Sequence, residues 1–482
     1  MARSRARNPS SGKPGAAPGH RIVPFVDEDL GNSAYLVASD ATRDGVLIDP
    51  LRDVDRYLDA AKRARVTIAY VLDTHLHNDF VSGCREVAAA TGAQVGASAE
   101  ARLEFDHRPL REGDRISLDG MDLEVLATPG HTPEHVAFLL RVGDARPIAL
   151  FSGGALIVGG AARTDLLGDD LAGPLARSLY RTIHGKLMTL PDDVAVYPTH
   201  GTGSFCAAPT VEARTTTIGL ERERNALVQA RGEDEFITSA LSGLPSYPTY
   251  FRELRPINRK GPRVLRDLPR PTPLPPSAVA AWAEQGGAVL DVRPAKAYLQ
   301  GHVPRAYGIP LDAPLVTWGG WLLPYAIPLV LVAEGTRDLE GAVRALVRIG
   351  FDEIRGHVKG GMAAWKAAGL PVERVRLISP ADLRARIKSG EPPVVLDVRQ
   401  DDEWAGGRIP GALHVENGRL PEIDLAPLQG RPVVVHCGTY NRSTAGLSVL
   451  ARRGLRDLTL LDGGFAAWAS SGFEIERGPG ET

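Results

Sequence analysis

The sequence predicts an α/β protein of three units, a mixed-sheet domain followed by two smaller parallel-sheet domains in tandem. Three observations lead there. Short β-branched runs near the N-terminus, separated by turn residues, give way to helical spacing, and three such runs end in histidine-bearing loops. A proline-rich stretch, INRKGPRVLRDLPRPTPLPP (257–276), reads as a linker that runs partly extended. Beyond it the chain repeats itself. AVLDVRPAKAYLQGHVPRAYGIP (288–310) and VVLDVRQDDEWAGGRIPGALHVE (394–416) share a strand ending in Asp-Val-Arg, a short helix, a glycine and a turn with proline. GGMAAWKAAG (360–369) likewise returns as GGFAAWASSG (463–472).

In chain order, residues 1–20 form a basic tail without the apolar core of a signal peptide, and are expected to be disordered. The first domain, 21–255, opens with strands at Arg21–Phe25, Ser33–Val37 and Gly45–Ile48, then a helix within Asp53–Arg65, a buried strand Ile68–Leu72 and a helix from Arg85. The alanine-rich stretch Val211–Ala240 predicts helices that close the domain near Leu254. A linker (256–276) separates it from two units, 277–375 and 376–482, of about 105 residues each. Strands alternating with helices predict a parallel sheet covered on both faces.

A length of 482 residues suits about three domains of ~100–200 residues. The net charge of −2 gives no sign of a nucleic-acid surface, and no apolar run of ~18 residues exists to span a membrane, so small-molecule substrates are expected. Three well-separated cysteines, Cys84, Cys206 and Cys437, argue for a reducing cytoplasm rather than a disulfide framework. The oligomeric state is left open, a homo-oligomer included.

The chemistry gathers around THLHNDF (74–80), where His75, His77 and Asp79 follow directly on a strand. TPGHT places His131 after the run Leu123–Ala127, and YPTHG places His200 after Val194–Tyr197. Imidazoles and a carboxylate on loops at strand ends suit a metal of borderline softness. In the last unit the run Pro432–Val435 ends in HCGTYNRST, so Cys437 heads a loop closed by Arg442 and followed by a helix. Loop amides, the oncoming helix N-terminus and Arg442 all favour the thiolate, which makes Cys437 a nucleophile or sulfur carrier. The middle unit carries Ala333 and Asp338 at the matching positions and is expected to be silent, with a packing role for its apolar insert WGGWLLPYAIP (318–328).

Through THLHND, TPGHTPEH, FSGGALIVGGAARTDLLG and YPTHGTGSFC, the first domain resembles the metallo-β-lactamase fold of the persulfide dioxygenase and glyoxalase branch. The two later units resemble rhodanese domains, the first of them degenerate. The resemblance implies an αββα sandwich followed by two rhodanese α/β domains with parallel sheets. It also implies ferrous iron and dioxygen, oxidation of a low-molecular-weight persulfide to sulfite, and sulfane-sulfur transfer that gives or consumes thiosulfate. Arg163 and Asp165 fall in the Arg-Thr-Asp turn that this branch keeps near its substrate pocket, though a salt-bridged structural turn reads equally well. Cys206, just past His200, would face the same pocket or pack in the core.

Two departures from the pattern bear on the metal. The family's aspartate ligand is Gly154 here, and Phe80 stands where a histidine of a second metal site is usual. One divalent ion per chain is therefore expected, chiefly on His75, His77 and His131, with Asp79 and His200 able to join. Fe(II) follows from the resemblance, and Zn suits three histidines plus water. Restoring the carboxylate by Gly154→Asp would tighten iron, provided Gly154 does not need positive φ. A zinc (thio)ester hydrolase, a persulfide sensor and a decayed site are the readings left open.

Overall fold

The computed structural model describes the chain except residues 1–18, 41, 119, 143–145, 209–211, 391 and 479–482. The tail expectation thus lies outside the described residues up to position 18, and His20 already belongs to a strand.

Two six-stranded sheets face each other in the first unit. The first runs His20–Asp27, Asn32–Ser39, Asp44–Ile48, Thr67–Leu72, Gln94–Ser98, Arg108–Leu110 in spatial order, antiparallel over its first three strands and parallel thereafter. The second is ordered Thr216–Thr217, Ala195–Pro198, Pro147–Gly153, Val136–Val142, Met121–Ala127, Arg115–Leu118. Period-two alternation sorts the side chains between layers. Tyr35, Val37, Val46 and Ile48 meet Leu123, Val125, Phe138 and Phe151 between the sheets. Their strand neighbours Leu36, Ala38 and Leu47 turn outward onto the helices Asp55–Ala64 and Cys84–Thr91. On the far side Leu139 and Leu150 pack under the helix Asp169–Gly185. The result is the expected helix–sheet–sheet–helix sandwich. Its loops at one sheet edge are tied together, Val136 N–H donating to Thr74 O (2.8 Å) and Thr199 N–H to Gly153 O (3.0 Å).

Two local expectations are corrected. The alanine-rich stretch after 211 is helical only over Ile218–Arg224 and Glu233–Leu241. The linker begins later than its prolines imply, because the helix Phe251–Lys260 runs through Pro256. Proline costs an interior helix a hydrogen bond, but this helix is held by tertiary contacts instead. The rest of the linker is docked. Arg52 and Arg85 donate to the carbonyls of Arg263 and Pro262, and the Glu86 carboxylate accepts from Leu265 N–H and Arg266 N–H.

The repeat is structural in detail. The middle unit orders its parallel strands Thr272–Leu274, Ile354–Val358, Leu329–Val332, Ala288–Asp291, Tyr307–Gly308. The last unit repeats that order with Arg376–Ile378, Leu458–Leu461, Val433–His436, Val394–Asp397, Leu413–His414. The shared Asp-Val-Arg serves the fold. Arg293 pairs with Asp291 (2.6 Å) and donates to Gly301 O (2.8 Å), and Arg399 pairs with Asp397 (2.6 Å) and donates to Gly407 O (2.7 Å). All four side chains are buried, so each pair is retained where breaking one partner would cost about 3–5 kcal/mol.

The middle unit sits between the other two. Its helix Thr336–Arg348 presents Arg344 to Asp55, and Arg348 to Asp53 (2.7 Å) and Asp27 (2.5 Å), while Arg52 reaches back to Asp352 (2.5 Å). The first half of the apolar insert, 318–322, completes the helix Leu315–Leu322, all eight residues of which are buried. Trp321 lies edge-on to Phe205 of the first unit and against Gly418 of the last, where a Cβ would fall 2.1 Å from its ring. Only glycine admits that approach.

Candidate metal centre and cysteine loop

His75, His131 and His200 are brought together, with ligand atoms all within 4.8 Å of one another. Each is set as a neutral donor by the partner of its other ring nitrogen. His131 Nδ1 donates to Arg163 O (2.6 Å), and a carbonyl can only accept, so the lone pair is at Nε2. His200 Nδ1 donates to Asn32 Oδ1 (3.0 Å), whose amide nitrogen in turn donates to Asp79 (2.6 Å). His75 Nδ1 donates to Thr74 Oγ1 (2.9 Å), because that hydroxyl spends its own hydrogen on Asp49 (2.8 Å). Three Nε2 lone pairs therefore converge. Those of His75 and His200 face each other at 3.3 Å, and His131 Nε2 is buried without a partner.

Lone pairs in this arrangement repel unless a cation lies between them. A tetrahedral ion with metal–nitrogen bonds of about 2.0–2.1 Å has ligand–ligand edges of about 3.3–3.4 Å, which matches the His75–His200 separation. Burial, reinforced at all three by neighbouring imidazoles, pushes the ring pKa values down, to about 3 at His131 and His200 and well below the usual value at His75. Unprotonated imidazoles are what a metal needs. The residues present thus fit a metal.

His77 points elsewhere. Its Nε2 lies 3.2 Å from Asp49 and 3.7 Å from Asp73, and Phe80 stacks on its ring at 4.0 Å. Burial alone would lower its pKa, but the carboxylates of Asp49, Asp73 and Asp79 together outweigh that and raise it. His77 and Asp79 form a second group with His200, and Asp49, Asp73 and His77 form a third. Asp79 accepts from Asn32 and has its other oxygen buried without a partner. Asp49 also accepts from Thr74 N–H (2.7 Å) and from Thr199, so it anchors two histidine loops at once.

Several residues that shape the site carry no motif of their own. His135 stacks on His75 (5.0 Å), donates to Thr128 Oγ1 (2.7 Å) and accepts the Gly154 N–H (2.9 Å). It lies four residues past His131 in TPGHTPEH, and that spacing was its only signal. The HxH loop backbone is splinted from the helix Phe251–Lys260. Asn258 donates to His77 O (2.9 Å) and Phe80 O (2.8 Å) and accepts from Ser82 N–H (2.9 Å), and Tyr250 donates to Asp79 O (3.0 Å). Glu134, paired with Arg255 (2.6 Å), accepts from Leu76 N–H (3.0 Å). Asn258→Ala strands three backbone groups. It is expected to cost about 1–3 kcal/mol and to weaken metal binding about 10- to 100-fold, read by chelator competition, with the fold of the last unit intact. Unchanged metal affinity would mean that the loop holds its own shape.

Gly154 answers the question of the missing carboxylate. Positive φ belongs to Gly153 (57°) and not to Gly154. Yet a Cβ at 154 would lie 2.8 Å from His131 Cδ2 and 2.9 Å from Ala162 Cβ. Gly154→Asp is therefore expected to weaken metal binding about tenfold or more, by pushing the His131 ring off its Arg163 anchor, reversing the expectation from sequence. Tighter binding in a chelator titration would show that His131 can make room.

Arg163 and Asp165 form a bidentate pair (2.7 Å each), and Arg163 also donates to Pro245 O (2.8 Å) and lies over Tyr247 (4.8 Å). The turn thus acts on the site through the Arg163 carbonyl that orients His131. Cys206 is fully buried near Asp79, and burial pushes its thiol well above the usual range.

In the last unit Cys437 heads its loop at the end of Val433–His436, with Sγ 3.4 Å from Ser443 Oγ on the helix Asn441–Arg452. The Cys437 carbonyl accepts from Phe465 N–H (2.8 Å). Arg442 lies in the first turn of that helix and is bidentate to Glu403 (Nη2–Oε1 2.7 Å), so its charge is already balanced. At the matching place in the middle unit the helix Thr336–Arg348 opens after Ala333 with no thiol.

Comparison with known proteins agrees with both halves. Residues 27–200 match the metallo-beta-lactamase superfamily, and 275–368 and 379–471 each match the rhodanese-like domain. The chain is 32% identical over 209 residues to human persulfide dioxygenase ETHE1, mitochondrial, spanning 41% of this chain and 75% of that protein. It is 32% identical over 234 residues to hydroxyacylglutathione hydrolase of Rhodospirillum rubrum, spanning 48% of this chain and 81% of the relative. Among solved structures, a metallo-beta-lactamase from Staphylococcus aureus superposes with a TM-score of 0.63 at 28% identity, over 71% of this chain and 99% of that one.

Proposed function

Starting from a chain that belongs to the metallo-β-lactamase superfamily, among relatives that include persulfide dioxygenases and hydroxyacylglutathione hydrolases, and that continues into two rhodanese-like domains, we propose that it oxidises a low-molecular-weight persulfide to sulfite at a mononuclear centre and transfers sulfane sulfur through Cys437. The observation that carries the reading is the convergence of three Nε2 lone pairs in the same chain as a cysteine at the head of a rhodanese loop. Persulfide, dioxygen and water balance to thiol and sulfite, and sulfite in turn is an acceptor for sulfur held on Cys437, giving thiosulfate.

His75, His131 and His200 would hold the ion, which when bound supplies Lewis acidity and, as Fe(II), reactivity toward dioxygen. Thr74, Arg163 O and Asn32 fix the three rings, and Asp49 holds the loops that carry His75 and His200. Asp79, with one buried oxygen unpaired beside the centre, is the group placed to accept a proton from substrate. No helix among the described residues is long and apolar enough to cross a membrane, and the cytoplasm is the proposed compartment.

Gly154 favours a second reading. Three imidazoles without a carboxylate are also a ligand set of zinc hydrolases, so (thio)ester hydrolysis is the competing reaction. Oxygen uptake by Fe(II)-loaded protein with glutathione persulfide separates them. Consumption of one dioxygen per sulfite supports the dioxygenase. Thioester cleavage by the zinc form without oxygen uptake selects the hydrolase, and neither activity beside intact sulfur transfer points to a persulfide sensor.

A further inference from the structure

The three units meet around a cleft of about 570 Å³ that belongs to neither reactive site. Four arginines line it: Arg252 from the helix that splints the metal loop, Arg305 from the middle unit, and Arg452 and Arg453 from the end of the helix that follows Cys437. Two glutamates, Glu253 and Glu422, stand on the same walls, leaving two positive charges in excess.

Two of these guanidinium groups are fixed without being neutralised. Arg452 donates to Arg305 O (2.6 Å) and lies over the Tyr307 ring (4.4 Å). Arg453 donates to Leu420 O (2.8 Å) and Ile423 O (2.8 Å). A carbonyl fixes an arginine but carries no counter-charge, and among the described residues none of the four has a carboxylate within ion-pair distance. Arg305 also sits at φ 59°, a conformation rare for residues with a side chain. Its backbone is pinned there from both sides, since its N–H donates to Glu373 (3.1 Å).

A bland account exists for part of this, because arginines in a last helical turn suit the helix dipole. It covers Arg452 but not Arg252 or Arg305, which come from other units. Uncompensated guanidinium groups from three units around one cavity, two of them fixed, are a site for an anion that can accept several charge-assisted hydrogen bonds. We propose that this cleft binds a small dianionic oxyanion, the chemistry shared by sulfite, thiosulfate, sulfate and hydrogen phosphate. Bound there, the anion links the helix carrying Asn258, and through Tyr250 the Asp79 carbonyl, to the helix leading from Cys437. It therefore joins the metal loop to the sulfur-transfer loop. The proposal does not depend on which reaction the metal centre runs.

Calorimetric titration of full-length Cys437→Ser protein with each of the four anions tests it, the substitution preventing turnover of thiosulfate. Saturable binding is expected, weakened by added chloride, and weakened about tenfold or more in each of Arg305→Ala and Arg452→Ala. Arg305→Lys, which keeps the charge, should retain part of the affinity and guards against a simple folding defect. Tighter binding of sulfite and thiosulfate than of sulfate and phosphate would assign the site to the chain's own sulfur chemistry. Equal binding of all four would assign it to the general oxyanion pool, with the site itself upheld. No saturable binding, or binding unchanged when Arg305 and Arg452 are both alanine, overturns the proposal and leaves the anion to the Cys437 loop or the metal centre.

Discussion

Cys437→Ser is expected to abolish sulfane-sulfur transfer from thiosulfate to cyanide, by about a thousandfold or more, while metal content stays unchanged. In the proposed transfer the Cys437 thiolate would attack the outer sulfur of thiosulfate. A cysteine persulfide forms, the S–S bond of the donor breaks and sulfite leaves with the electron pair. Serine is nearly isosteric, so the loop should keep its shape around the Phe465 and Ser443 contacts, but an oxygen nucleophile cannot carry sulfane sulfur through the cycle. No second thiol is placed to rescue it, since Cys84 and Cys206 are buried in the first unit. Cyanide-dependent thiocyanate formation reads the outcome, and appreciable residual transfer would place the nucleophile elsewhere. Arg442 enters differently from its reading as a free positive charge favouring the thiolate. Bound to Glu403, it keeps a half-exposed carboxylate from facing the thiolate, so its loss removes one positive charge and frees one negative charge beside Cys437.

The second large effect is at the metal. His131→Ala and His200→Ala are each expected to lose a bound divalent ion on dialysis, because two remaining imidazoles rarely retain one. His77→Gln should retain metal to within about tenfold, since the ring it removes faces Asp49 rather than the point of convergence. It should cost stability instead, because Asp49 loses its buried partner. Retention of metal by His200→Ala together with its loss in His77→Gln would restore the ligand set His75, His77 and His131.

The sandwich and the repeat were legible because both rest on local periodicity. Alternating apolar residues at Tyr35–Ala38 sort into two layers whatever lies far away, and Asp-Val-Arg recurs because each copy closes the same buried ion pair. The histidine loops were legible for a similar reason, as strands of a layered sheet deliver their loops to one edge. What resisted reading was direction. His75 and His77 leave the same loop toward different partners, and the choice is made by Asp49, just past the end of another strand. His200 stands beside His75 and His131 because Asn32, at the start of a distant strand, sets its ring. The His131 ring filling the space beside Gly154, the Arg442–Glu403 pair and the helix through Pro256 are likewise fixed by contacts far apart in sequence. No local pattern records them.

The central claim, one ion on His75, His131 and His200, is tested most directly by titrating metal-free protein with Co(II) and following its visible absorption. The account predicts saturation at one equivalent with the intense bands of four- or five-coordinate cobalt, and their loss in His200→Ala. Saturation at two equivalents, or an identical spectrum and affinity in His200→Ala, would contradict it.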